Sequence, residues 1–235
     1  MTERTIVTGR TQDVTLALDG IVLHGDLTVP PGAKGIVLFA HGSGSSRFSP
    51  RNRAVAATLW EGGVATLLLD LLTPDEDRVD EMTAQHRFDI RLLAGRLAAA
   101  TDWIAQQPET RELTVGYFGA STGAAAALVA AARIPDMVRA VVSRGGRPDL
   151  AGASLEAVRA PTLLIVGGAD TEVLELNRMA AARLGGPHTL EIVPGATHLF
   201  EEPGTLEQVA TLALRWFERH LIPAPTSRSP AAEAW

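Results

Sequence analysis

The chain has 235 residues, 46% of them hydrophobic and 20% charged, enough to bury one large core in a single α/β domain. A net charge of −6, with no basic run and no interleaving of basic and aromatic residues, argues against a phosphate-backbone partner, so no nucleic-acid role is expected. The lack of cysteine excludes disulfides, thiolate metal sites and a cysteine nucleophile. No stretch approaches the roughly eighteen apolar residues of a membrane span, and Met1 to Val7 lack a signal-peptide core, so a cytoplasmic protein, monomer or homodimer, with no membrane contact is expected.

In chain order, Val14, Leu16 and Leu18 alternate with polar or small residues up to Asp19-Gly20, and Ile21, Leu23 and Leu27 resume after it, which predicts an antiparallel hairpin. Continuous apolar runs follow at 35–40, 64–69, 113–118, 138–142, 162–166 and 189–193, as expected of strands buried on both faces of a parallel sheet. Helical spacing fills the intervals at 52–60, 87–104, 124–132, 173–184 and 206–221. The alternation predicts a doubly wound, mostly parallel sheet over residues 1–221, while the Pro- and Ala-rich 222–235 read as a flexible tail. Only the short segment 143–160 separates the fourth and fifth of these runs, which leaves no room for a sizeable cap.

The most informative stretch is Gly119-Ala120-Ser121-Thr122-Gly123, set between an apolar strand and an alanine-rich helix. This is the strand, sharp turn and helix context of a nucleophile elbow, with Ser121 at its tip and glycines two residues away on each side because larger side chains would collide there. A serine hydroxyl needs a base to take its proton and a third group to orient that base. Of six histidines, His198 follows a strand directly and so emerges at the carboxyl edge, where Ser121 emerges; His24, His86, His188 and His220 read as structural or solvated. Asp170, after Gly167-Gly168-Ala169, is the preferred orienting acid over Asp149, whose neighbours Arg147 and Pro148 suggest an outward loop.

The oxyanion formed by attack needs preorganised donors. The backbone N–H of Thr122 at the helix start is one; the other is assigned to Ser43, with Gly44 second, in the loop His41-Gly42-Ser43-Gly44 after an earlier strand. His41 is expected to brace that loop. Gly42, Gly44, Arg47 and Arg144 are further candidates for touching substrate, with Arg51, Arg53, Arg147 and Asp70 near them. No metal site is expected.

The span from about Val14 to Leu221 resembles an α/β-hydrolase, and within that fold the dienelactone hydrolase-like group. The elbow at Ser121, His41-Gly42, the Gly-Gly-Ala-Asp ending at Asp170 and Ala196-Thr197-His198 carry the resemblance. Dienelactone hydrolases proper place a cysteine at the elbow, where this chain has Ser121. The resemblance implies a hydrolase that works through an acyl-enzyme without cofactor. The expected activity is cleavage of small or exposed carboxylic esters, lactones among the candidates. Thioester cleavage or acyl transfer would use the same residues, and a binding protein that has lost turnover is the alternative of another class.

Overall fold

The computed structural model describes residues 11–18 and 20–222. Asp19 of the expected turn, and residues 1–10 and 223–235, lie outside the described residues. The chain opens with β1 (Gln12–Leu18) and β2 (Ile21–Thr28), which pair antiparallel with Leu18 opposite Ile21. Leu16, Leu18, Leu23 and Leu27 turn inward, as their alternation predicts.

Then come β3 (Gly35–Ala40), α1 (Pro50–Glu61), β4 (Ala65–Leu69), α2 (Pro74–Thr83), α3 (Ile90–Gln106), β5 (Thr114–Ala120) and α4 (Thr122–Arg133). The chain continues through β6 (Val138–Arg144), a short 3-10 segment (Pro148–Ala157), β7 (Thr162–Gly167), α5 (Thr171–Ala181), β8 (His188–Val193) and α6 (Thr205–Leu221). The eight strands form one sheet in the order β1-β2-β4-β3-β5-β6-β7-β8, antiparallel at the hairpin edge and parallel from β4 to β8.

All six residues of β3 and all six of β7 are buried, because helices cover both faces: α1 and α6 on one, α3, α4 and α5 on the other. Phe39 and Phe118 pack with ring centroids 4.9 Å apart beneath α1 and α6, while Tyr117 faces α3 and bonds Thr101 at 2.6 Å. From β3 the chain moves to β4 on one side, then returns to β5 on the other. The carboxyl ends of β3 and β5 therefore flank the point where strand order reverses, the place an open α/β sheet offers to a ligand.

α2 is a helix that periodicity does not predict, since Pro74-Asp75-Glu76-Asp77-Arg78 carries no apolar stripe. Local capping makes it: Thr73 Oγ1 accepts from the Glu76 N–H at 3.3 Å and Glu76 Oε2 accepts from the Thr73 N–H at 2.8 Å. Arg96 of α3 then binds Glu76 and the Leu71 carbonyl, and its guanidinium holds the Glu76 carboxyl well below the usual range. The space between β6 and β7 holds only the 3-10 segment, so no large cap covers the sheet edge there.

Two close approaches fix the elbow. A Cβ on Gly119 would stand 2.4 Å from Ala124 Cα, and one on Gly123 2.2 Å from the Ala40 carbonyl oxygen. Both obstacles are backbone, which cannot rotate away. The loop after β3 is fixed through His41, which is 8% exposed. Its Nε2 accepts from the Leu71 N–H at 3.1 Å and its Nδ1–H donates to the Gly42 carbonyl at 3.0 Å, a pattern that only the neutral ring satisfies. Burial keeps its pKa below the ordinary value.

Gly123→Ala is expected to lower the melting temperature by roughly 3–10 °C through forced backbone displacement. Gly95→Ala, in the middle of α3 with its nearest neighbour at an ordinary 3.6 Å, should instead be neutral or raise stability by up to about 1 kcal/mol. The His41 pKa, lowered on folding, leaves the unfolded chain holding more protons below about pH 6.5, so stability is complete above that pH and declines as pH falls. Thermal melts from pH 7.5 to 5 should show this decline, shallower in His41→Gln; His220, also shifted down by burial, accounts for part of the slope that remains.

Candidate active site

Ser121 sits between β5 and α4 with φ 50° and ψ −120°, a conformation that costs a non-glycine residue energy and persists only because its surroundings determine it. The turn is held from the β6 side. The Ser121 N–H donates to the Arg144 carbonyl at 3.3 Å, and the Arg147 N–H donates to the Ser121 carbonyl at 3.0 Å. These bonds lift the hydroxyl above the edge of the sheet, into a cavity of about 230 Å³ that Gly42, Ser43, Arg51, Arg144 and His198 also line.

Asp170 and His198 come from the two neighbouring strands, and close backbone contact between their loops brings them together. Ala169 N–H donates to the Ala196 carbonyl at 2.9 Å and Gly168 N–H to the Val193 carbonyl at 2.8 Å. The approach demands glycine at 167, where a Cβ would fall 2.3 Å from the Ala196 oxygen. Asp170 occupies the position before α5 but makes no side-chain cap bond there. Its Oδ2 instead accepts from His198 Nδ1 at 2.7 Å, which leaves Nε2 as the free nitrogen of the ring. The acid is largely shielded, with 16% of its side chain exposed against 39% for the imidazole. Among the described residues no hydrogen bond joins Ser121 to His198; they meet as walls of one cavity. Such contacts are commonly long without substrate.

The rival acid is engaged elsewhere: Asp149 takes a two-pronged bond from Arg147, at 2.9 and 2.8 Å. Ser43 Oγ and Thr122 Oγ1 lie 3.0 Å apart, which ties the β3 loop to the start of α4; Ser43 lines the Ser121 cavity and Thr122 the adjoining crevice. The amide N–H groups of both residues donate to no acceptor among the described residues. Gly42 packs against Ser121, so that a Cβ there would be 3.1 Å from the serine Cβ; Gly44, with φ +62°, faces an adjoining crevice beside Arg87.

The arginines separate sharply. Arg47 lies outside the Ser121 cavity, 12% exposed among three carboxylates, Asp13 at 3.5 Å, Asp26 at 3.4 Å and Asp70 at 3.4 Å, and its backbone N–H also bonds Asp70 at 2.8 Å. It pins the loop to the hairpin rather than facing a ligand. The weaker candidates Asp70, Arg53 and Arg147 are likewise paired within the protein. Of the named arginines, Arg144 lines the cavity with Nε and Nη1 unpartnered among the described residues.

Two participants carry no signal in sequence. Asn52, in the first turn of α1, lines the cavity and is 2% exposed. Glu202 clamps the histidine loop by accepting from the Thr197 hydroxyl at 2.6 Å and the Thr197 N–H at 3.1 Å, and these bonds lower its pKa. A larger hollow of about 480 Å³, bordered by Asp26, Arg53, Trp60 and Leu68, contains none of the site residues. Among the described residues there is no group of three or more His, Asp or Glu placed to hold a metal ion, and no helix long and apolar enough to cross a membrane.

The chain matches known proteins over nearly its whole length. The model of the dienelactone hydrolase family matches residues 23–221. A dienelactone hydrolase from Anabaena variabilis ATCC 29413, known from its crystal structure, is 57% identical and covers 91% of this chain and 99% of its own, with a TM-score of 0.89. Est1E from Butyrivibrio proteoclasticus shares the fold, with a TM-score of 0.74 at 18% identity over 90% of this chain and 98% of its own. Two Mycobacterium tuberculosis proteins, from strains CDC 1551 / Oshkosh and ATCC 25618 / H37Rv, are each named "Putative phosphoribosyl transferase" and are 61% identical over 218 residues. That stretch is 92% of this chain and 48% of theirs, so the chain spans about half the length of these curated relatives. By the family match and by its likeness to the Anabaena enzyme, the chain belongs to the dienelactone hydrolase family.

Proposed function

We propose that the protein is a serine hydrolase that cleaves carboxylic esters through an acyl-enzyme. The observation that carries this reading is the 2.7 Å bond that His198 Nδ1 donates to Asp170, which leaves Nε2 free on a ring that lines one cavity with the strained Ser121. In the first half-reaction Ser121 Oγ attacks the ester carbonyl carbon and its proton passes to His198 Nε2. The amides of Ser43 and Thr122 stabilise the oxyanion, helped by the positive end of α4. When the carbon–oxygen bond to the alcohol breaks, His198 returns the proton to the leaving oxygen. Water then adds to the acyl-serine with the same base, and the carboxylic acid departs.

The open edge and the small cavity favour short or exposed acyl groups. Lactones and thioesters follow the same steps. The name carried by the mycobacterial relatives belongs to chains about twice as long, and the match to them spans the elbow of this chain.

On a neutral ester such as p-nitrophenyl acetate, Ser121→Ala is expected to remove turnover by on the order of 10⁶-fold. Asp170→Asn should cost on the order of 10⁴-fold, because the ring loses the partner that sets its tautomer, whereas Asp149→Asn should stay within about threefold of wild type. Equal losses in the two asparagine variants, measured as kcat, would remove Asp170 from the mechanism.

A further inference from the structure

The buried face of α5 carries Val173, Leu174 and Ala180, and among them one amide, Asn177, which is 0% exposed. Its Nδ2 donates to the Val173 carbonyl at 2.8 Å and to the Gly146 carbonyl at 2.9 Å, while its Oδ1 is sealed from solvent without a partner among the described residues. A leucine would fill the same place in this apolar stripe and leave no buried side-chain oxygen unsatisfied, so packing does not account for an amide there. What the amide adds is a bond to another element, which holds α5 to the turn that follows β6.

That turn, residues 144–147, lies between the nucleophile and the base. On one side it grips Ser121, accepting the serine N–H on the Arg144 carbonyl at 3.3 Å and donating the Arg147 N–H to the serine carbonyl at 3.0 Å. On the other it abuts the base: a Cβ on Gly145, whose φ is +50°, would stand 3.1 Å from the His198 carbonyl oxygen and 3.7 Å from the ring carbon Cε1. Gly146 leaves the turn no slack, since a Cβ on it would fall 2.0 Å from Ser143 Oγ and 2.6 Å from Ala124 Cβ. α5 in its turn starts directly after Asp170, whose carbonyl accepts the Leu174 N–H at 2.9 Å. Asn177 thus joins the helix that follows the acid to the turn that holds the nucleophile and backs the base.

We propose that Asn177 is a positioning residue: it fixes the 144–147 turn against α5 and thereby sets the separation of Ser121 from His198. No hydrogen bond among the described residues joins that pair, so their spacing is set by the elements behind them. A misplacement of about 1 Å between reacting groups costs on the order of 100-fold in rate. Asn177 does not line the Ser121 cavity, so it acts only through the turn it holds. The inference rests on the ester-hydrolase reading and adds to it a residue outside the reacting set.

The test uses two variants, Asn177→Leu, which keeps the volume, and Asn177→Ser, whose hydroxyl can still bond the Val173 carbonyl one turn back but is too short for Gly146. Assayed on p-nitrophenyl acetate well below their melting temperatures, both are expected to lose about 10- to 100-fold in kcat with KM within about threefold of wild type. The acid limb of the kcat profile against pH should not move, because the bond from His198 to Asp170 is untouched. An amide that serves folding alone would instead lower the melting temperature and leave kcat at the wild-type value. That result in Asn177→Ser overturns the positioning role while ester hydrolysis stands. If wild type itself cleaves no ester, crystal structures of wild type and Asn177→Ser decide. A distance from Ser121 Oγ to His198 Nε2 longer in the variant by about 0.5 Å or more upholds the role, and an unchanged distance overturns it.

Discussion

Everything at the carboxyl edge of the sheet depends on one steric constraint, the passage of the chain from β5 into α4 through a space that admits no side chain at 119 or 123. Backbone on both sides, the α4 turn at Ala124 and the β3 carbonyl at Ala40, forces Ser121 into a left-handed conformation and projects its hydroxyl outward. The same compression brings the start of α4 against the β3 loop, so that Ser43 and Thr122 meet through their side chains. The strained turn at Ser121 and its contact with the β3 loop are thus products of a single packing arrangement. The sheet order supplies the rest, because β7 and β8 end beside one another and deliver the acid and the base to the same rim.

The loops around this rim are irregular, yet polar contacts hold each of them. His41 ties the β3 loop to the end of β4 and Arg47 ties it to the hairpin. Glu202 holds the loop of His198, and backbone bonds join that loop to the one carrying Asp170. Such bracing places reacting groups to within fractions of an ångström at the expense of tolerance to change. Arg144 differs from the equally buried Arg96: its Nε and Nη1 have no partner among the described residues, whereas Arg96 holds Glu76 and the Leu71 carbonyl and leaves only Nε unbonded.

The sheet and its helices were legible because their signals are local and strong. Unbroken apolar runs mark strands such as β3 and β7, and Gly119, Gly123 and Gly167 mark places where backbone meets backbone. Preference for Asp170 over Asp149 rested on the glycines before one and the charges beside the other, and the bond from Arg147 to Asp149 is the physical form of that second clue. What escaped the sequence depends on partners distant in the chain. α2 has no apolar face and is stabilised by its cap and by Arg96, twenty residues on from Glu76. Arg47 and Arg144 look alike in sequence, and only the fold gives the first three aspartates and the second none.

An acyl-enzyme route requires Ser121 to become covalently acylated while His198 and Asp170 drive the transfer. Intact-mass and peptide-mapping measurements after treatment with a fluorophosphonate test it most directly, since the reagent adds only to a serine activated by a neighbouring base. One adduct per chain is expected, mapped to the peptide that contains Ser121 and formed much more slowly in His198→Ala. A wild-type protein that hydrolyses esters with no adduct at Ser121, or with the adduct on another residue, would contradict it.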